Sequence, residues 1–302
     1  PLPIDIHSQD SIDHFWLGAI HVYKNIVFAR KKFRNYFTSS IVERPLEIQL
    51  FHKDHNSYAN SAVYKPGKDP KILLGEGSGH HWENYFTDRD VITHEFAHHI
   101  LIEFLSGKTV ETKILHEGLA DYFTYDFNSS PYLAETVRPG YSFLRTANNS
   151  YTYNDKSKSF LRSPHNLGSV IAKFFWELRR RHNTHSNALL VETLYSLTPE
   201  AGLADFLTAL LTIQVMDRSS TNLTMSLAPS LAPCEILTLL EQTGMLIFVS
   251  EFLARSAPNA LTECPIFTKP EFLEKLNEQD AWILTVWNSQ DRFGSNETFK
   301  EQ

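Results

Sequence analysis

The chain has 302 residues, 42% of them hydrophobic and 21% charged, with a formal net charge of −7. That balance suits a folded protein with a sizeable core and argues against collagen-like, low-complexity or repeat-array chains. The acidic excess speaks against nucleic acid as a partner, because phosphate binding calls for a basic face; the run Arg30, Lys31, Lys32, Arg34 reads as the solvated side of a helix.

Along the chain, residues 10–38 read as one long amphipathic helix. Asp10 or Ser11 can cap it, and Phe15, Trp16, Ala19, Ile20, Tyr23, Ile26, Val27 and Phe33 recur at helical spacing. Leu46, Ile48 and Leu50 alternate with Glu47 and Gln49, a strand pattern. Further short strands are expected near 61–64 and 71–74, around the turn signal Pro66-Gly67. Helices follow at 90–106, stopped by Gly107, and at about 111–125. The Tyr/Asn/Ser-rich stretch 128–164 reads as a long loop region, and loops of that length usually carry function or lack order. Beyond it the pattern is helical at 166–182, 186–197, 199–213, 234–243 and 270–277, with a Ser/Thr/Pro-rich connector at 218–233. The fold class expected is α+β. An α+β lobe spans 1–130, and a mainly helical lobe, 131–302, closes a cleft over it.

Cys234 and Cys264 sit in no zinc pattern; a single disulfide and two free thiols both stay open. No apolar run reaches the roughly 18 residues needed to span a bilayer. The sequence starts at Pro1 without Met. A processed or trimmed form is therefore expected, its export signal or pro-segment removed. A secreted or periplasmic location fits that expectation, with a cytoplasmic one still open. The sequons at Asn128, Asn148, Asn222 and Asn296 matter only in a eukaryotic secreted protein.

The chemistry concentrates in His94-Glu95-Phe96-Ala97-His98. Residues four apart share a helix face, so two imidazoles can hold one Zn²⁺. Glu95, the next residue along, can reach a water at the metal without being a ligand, which suits a general base. The pentapeptide alone is only suggestive, and three features add weight. Glu117 follows His98 after 18 residues on the next helix, supplying a carboxylate and leaving a fourth position open. Asp121 lies one helical turn further and can accept the outer N–H of a ligand His. The surrounding helix is otherwise apolar, where an unpartnered pair of imidazoles and a carboxylate would cost several kcal/mol. His99 and His116 flank ligands and are read as structural; His80 and His81 are read as exposed.

The HExxH…Glu arrangement, with Glu117 inside His116-Glu117-Gly118-Leu119-Ala120-Asp121-Tyr122-Phe123, resembles the gluzincin metallopeptidases. The ligand gap is that of the aminopeptidase branch, whereas the surrounding words look more like thermolysin and fungalysin. Asp88–Thr93 resembles the entry to the zinc helix, 62–67 through 72–77 the edge strand and its hairpin, and His165-Asn166-Leu167-Gly168 the family's downstream His and helix. The likeness covers roughly residues 15–180. It implies a two-lobed fold, peptide or protein substrates, and one catalytic zinc on His94, His98 and Glu117. It further implies Glu95 as base, Asp121 orienting His94, and His165 stabilising the oxyanion. Substrate would bind along Asn60, Ser61 and Ala62, where the family's Asn falls at Ser61 or is displaced to Asn60. No Tyr lies between His98 and Glu117, so Tyr153 or Tyr151 is a candidate second oxyanion donor. Asp90 fits one position of the family's calcium cluster but its partners are missing, so a double calcium site is not expected and calcium stays open. Two other functions remain: an aminopeptidase holding the substrate amine through Glu76 or Glu83, and a zinc-containing binding protein without turnover. Substrate specificity and oligomeric state are not legible.

Overall fold

A computed structural model describes residues 9–54, 57–58, 61–77, 85–138, 140–157, 163–182, 184–219, 233–249, 253 and 264. The expected helix at 270–277, Asn60, His80, His81, Glu83 and the sequons at Asn222 and Asn296 lie outside them. The architecture is α+β, mostly helical with two small sheets.

Helix α1 (Gln9–Phe33) ends sooner than its periodicity suggests. The chain turns at Asn35–Phe37, and a single turn, α2 (Ser39–Val42), follows. The turn swings Phe37 into the core beside Phe33, Phe104 and Phe123. The helix is apolar on two faces, which is why one stripe could not be told from the other in sequence. Val22, Ile26, Ala29 and Phe33 are buried, while Trp16, Ile20, Tyr23 and Val27 face outward.

The main sheet runs β2-β1-β4-β3, with β1 at Glu47–Asp54, β2 at Ser57–Tyr58, β3 at Ala62–Lys65 and β4 at Lys71–Gly75. β1 and β4 pair in parallel with a bulge at Phe51, whose φ of 54° is left-handed; β3 pairs antiparallel with β4. Central β4 buries Ile72, Leu73 and Leu74, as a strand covered on both faces must. β3 alternates half-buried and exposed residues on the sheet edge. Gly67, at φ 151°, takes the tight link between β3 and β4.

Two helices carry the residues that matter most. α3 (Arg89–Leu101) is buried along nearly its whole length and packs on α1 and β3; α4 (Val110–Asn128) packs on α3. α3 stops at Leu101, before the expected 106, because Glu103 and Phe104 N–H groups tighten onto the Ile100 and Leu101 carbonyls. The stretch 128–164 is not merely loop. It holds a hairpin of β5 (Tyr132–Leu133) and β6 (Arg145–Thr146), then a 3₁₀ turn at Tyr153–Ser157. Two-residue strands fall below what alternation can reveal.

Four helices complete the described fold: α5 (Pro164–His182), α6 (Thr184–Ser196), α7 (Leu203–Ser219) and α8 (Pro233–Gln242). Cys234 and Cys264 form a disulfide, which resolves the choice left open by the sequence. Buried Asp126 on α4 accepts from Arg179, Tyr36 and Asn187, tying α4 to α5, to the turn after α1 and to α6. No helix among the described residues is long and apolar enough to cross a membrane.

α4 and α5 meet through Gly118 and Gly168. A Cβ on Gly118 would lie 2.6 Å from the Gly168 carbonyl oxygen and 2.7 Å from the Ile171 Cβ; one on Gly168 would lie 2.8 Å from the Gly118 nitrogen. Backbone is the obstacle on both sides, so neither neighbour can give way cheaply. Gly118→Ala is expected to cost about 1–3 kcal/mol, the usual range for overpacking, read as a lower midpoint in urea. An unchanged midpoint would show that the two helices separate without penalty.

Candidate metal centre

The start of α3 is fixed by Asp88, whose carboxylate accepts the Asp90 and Val91 N–H groups at 2.8 and 3.2 Å. Its other oxygen accepts from the Thr136 backbone N–H and hydroxyl. Asp90 accepts from the Asn128 side-chain amide at 2.5 Å and the Ala134 N–H at 3.0 Å. The first turn of α3 is thereby tied to the end of α4 and to the segment after β5. The Asn128 nitrogen, the atom a glycan would take, is engaged in that tie.

One turn in, His94 and His98 share a face. Their Nε2 atoms are 3.0 Å apart and their rings meet edge-on. α4 brings Glu117 opposite them, with Oε2 3.2 Å from His94 Nε2 and Oε1 3.6 Å from His98 Nε2. Among the described residues this is the one group of three or more His, Cys, Asp or Glu whose ligand atoms all lie within 4.8 Å of one another. Tetrahedral zinc at its usual bond lengths sets two ligand nitrogens roughly 3.3 Å apart. Glu117 Oε2 is also buried, facing ring nitrogens of His94 and His165. A divalent cation would satisfy that oxygen and both nitrogens together, so the residues present fit such an ion.

The charges agree. Burial alone would push His94 toward neutrality, but Asp121 and Glu117 outweigh it and raise the imidazole to about 10. Burial would raise Glu117, yet His98 and His94 hold it well below the carboxylate range. Without metal, then, the site keeps a proton on His94 against two carboxylates. A metal ion would have to displace it, and binding would release a proton.

Asp121, one turn after Glu117, has Oδ1 2.9 Å from His94 Nδ1. It is fully buried, and Arg145 on β6 grips it with two bonds of 2.7 Å. Burial pushes Asp121 up, but Arg145 and His94 pull it down to about 2. His94 is thus held by a carboxylate that is itself clamped. Glu95 is buried beside this cluster, and burial raises its carboxyl against the pull of His98 and His94. The Tyr64 backbone N–H hydrogen-bonds to Glu95, linking the base to edge strand β3.

His165, the second residue of α5, places Nε2 3.4 Å from Glu117 Oε2 and is half exposed. The Gly118–Gly168 contact brings that helix end here. Ser61 accepts the Gly75 N–H with its carbonyl, and Ala62 pairs with Leu74 on the edge strand that carries Tyr64. Tyr153 is buried with its ring edge-on to Phe248 and its N–H on the Thr243 carbonyl. Burial, then Glu111, raises its hydroxyl beyond the ordinary range. Those contacts are with the turn after α8, the 3₁₀ turn at Leu246–Val249 and the first turn of α4. Tyr151 is half-buried, and its carbonyl accepts from Lys173.

Two residues escaped the sequence reading. Arg145 lies in a polar stretch with no spacing signal to Asp121, and only the β5–β6 hairpin brings it across. His116 reads as structural, but its Nδ1 is 2.6 Å from His98 Nδ1. Burial, then His98, lowers His116 to about 3, so it is neutral.

No family model matches the chain, and no curated protein matches it in sequence. Its structure is similar to that of the precursor of protealysin, a metalloproteinase from Serratia proteamaculans. The TM-score is 0.60 at 14% identity, over 76% of this chain and 79% of that one. At that identity the likeness is one of fold.

Proposed function

We propose that the protein is a zinc-dependent peptidase of gluzincin type, hydrolysing peptide bonds in peptides or proteins. The observation that carries this reading is the convergence of His94, His98 and Glu117 on one point, with buried Glu95 beside it. The fold shared with a metalloproteinase supports it. A zinc ion bound there supplies a Lewis acid that polarises a carbonyl and makes water more acidic.

The chain's own groups do the rest. Glu95 takes a proton from the attacking water and passes it to the leaving amine. Its tie to Tyr64 sets it beside β3, whose outer edge, unpaired among the described residues, offers main-chain groups from Ser61 and Ala62 to an extended peptide. Asn60, next in sequence, is proposed as a further substrate contact. Arg145 and Asp121 hold His94 in the tautomer that presents Nε2. His165 donates to the oxyanion, aided by its place in the first turn of α5. Tyr153, or Tyr151, is the candidate second oxyanion donor. The lobes 1–130 and 131–302 close over the site, a reading supported by the reach of Arg145 from the second to Asp121 in the first. The Cys234–Cys264 disulfide supports a secreted or periplasmic location.

Casein and a set of aminoacyl reporters, assayed with and without a chelator, test this. Casein cleavage lost on chelation and restored by one equivalent of zinc is the expected result. Turnover of aminoacyl reporters alone would make the protein an aminopeptidase. Zinc uptake without turnover of either would make it a binding protein. Within the first outcome, His165→Ala should lower kcat about 10²–10³-fold while zinc binding holds. A parent-like kcat would remove His165 from the oxyanion site.

A further inference from the structure

α1 packs on α3 and buries Val22, Ile26, Ala29 and Phe33, yet it carries a second apolar stripe that nothing among the described residues covers. Trp16, Ile20 and Tyr23 are 59, 61 and 73% exposed, and Val27 continues the row. The row advances in steps of four, three and four residues. That alternation keeps side chains on the seam of a helix that faces a second helix. Trp16 is braced in place: its ring meets Phe15 edge-on, and the Phe15 ring stacks on Phe51 of β1. Large apolar side chains gathered on one exposed face mark an interaction site, unlike the single ones scattered over any surface.

The charges beside the stripe decide what fits on it. At about 3.6 residues per turn, one flank of the row carries Asp13 near the start of the helix, then Leu17, Lys24 and Lys31, all exposed. When two copies of a helix pair antiparallel about a two-fold axis, equivalent flanks meet. With the axis at the middle of the row, Trp16 falls opposite the partner's Val27 and Ile20 opposite the partner's Tyr23. On the flank, Asp13 falls opposite the partner's Lys31. Acid meets base there, and symmetry makes the pairing twice. A parallel pair would instead bring together the basic last turns, each with Arg30, Lys31 and Lys32. An anionic bilayer surface would attract the lysines but repel Asp13 and a chain of net charge −7.

We propose that α1 is the interface of a homodimer, pairing antiparallel with α1 of a second copy through Trp16, Ile20, Tyr23 and Val27. The interface is isologous, so it closes at two copies. It uses none of the residues of the metal centre and stands whatever that centre binds.

Sedimentation equilibrium of the full chain over about 1–100 µM tests this. The parent is expected at twice the chain mass of 34.7 kDa. Tyr23→Glu sets a charge against Ile20 twice, and should weaken the dimer more than about 100-fold. Tyr23 is exposed in the single chain, so the far-UV circular dichroism should stay as in the parent. Ile20→Gln repeats the test should Tyr23→Glu not fold. Asp13→Lys and Lys31→Glu are each expected to weaken the dimer about 10-fold, and the two together to restore it within a few-fold. A parallel pair cannot give that restoration, because its two positions lie at opposite ends. A parent that stays a monomer at the highest concentration overturns the proposal, whether the stripe is then covered by another part of the chain, a membrane or a different protein. A dimer left intact by Tyr23→Glu overturns it as well. A double variant whose losses simply add overturns the antiparallel pairing.

Discussion

Glu95→Gln is expected to bind one zinc per chain as the parent does and to cleave casein about 10²–10⁴-fold more slowly, the usual contribution of a general acid–base group. Gln has the size of Glu and can still accept the Tyr64 N–H through its amide oxygen, so the packing of α3 against β3 should survive. What it lacks is basicity. The buried carboxyl stands next to the two histidines and, by its raised pKa, holds a proton more readily than an exposed Glu. That is the property a proton shuttle needs: it must take a proton from water and surrender it to an amine in the same turnover. Steady-state kinetics on casein, with zinc measured on the same sample, checks this. Activity within a few-fold of the parent at full zinc loading would remove Glu95 from the mechanism.

The second large effect is expected at Arg145→Met. Asp121 is fully buried, and Arg145 reaches it from β6 with two charge-assisted bonds. Removing one partner of a buried ion pair typically costs 3–5 kcal/mol, because the other charge is left stranded. Asp121 then has two escapes. It can take up a proton and so lose its grip on His94 Nδ1, or, no longer shared with Arg145, it can hold the His94 imidazolium more tightly than the parent does. An imidazolium offers no lone pair, so either escape weakens the metal centre. Zinc affinity should fall about 10–100-fold. The loss should grow as the pH falls, since protons compete for the same two groups, and the protein should unfold at lower urea. Arg145→Lys should recover only part of the loss, since a single ammonium cannot make both bonds. Parent-like zinc affinity and stability in Arg145→Met would mean that the clamp orients nothing.

How much of this was legible in the sequence follows from the range of each interaction. His94, Glu95 and His98 sit within one helical turn, so their spacing states their geometry. Glu117 and Asp121 are again one turn apart on the adjoining helix, and HExxH…Glu carries enough of a pattern to join the two. Arg145 reaches Asp121 only through a hairpin of two-residue strands, too short for alternation to show. His116 was read as structural, and its stacking on His98 was not legible. A His beside a ligand normally points elsewhere on its helix, and only the packing of α4 on α3 stacks it on His98. The double apolar stripe of α1 marked a helix correctly but could not say which face is buried. The Gly118–Gly168 contact is equally silent in one dimension. Two glycines 50 positions apart become neighbours only once α5 folds back on α4.

The most direct measurement is zinc stoichiometry joined to X-ray absorption on the zinc-loaded protein. One zinc per chain, ligated by two imidazoles and a carboxylate oxygen and lost in His94→Ala, is the expected result. A metal-replete protein that holds no stoichiometric zinc, or a zinc with no imidazole in its first shell, would contradict the metal centre and with it the peptidase reading.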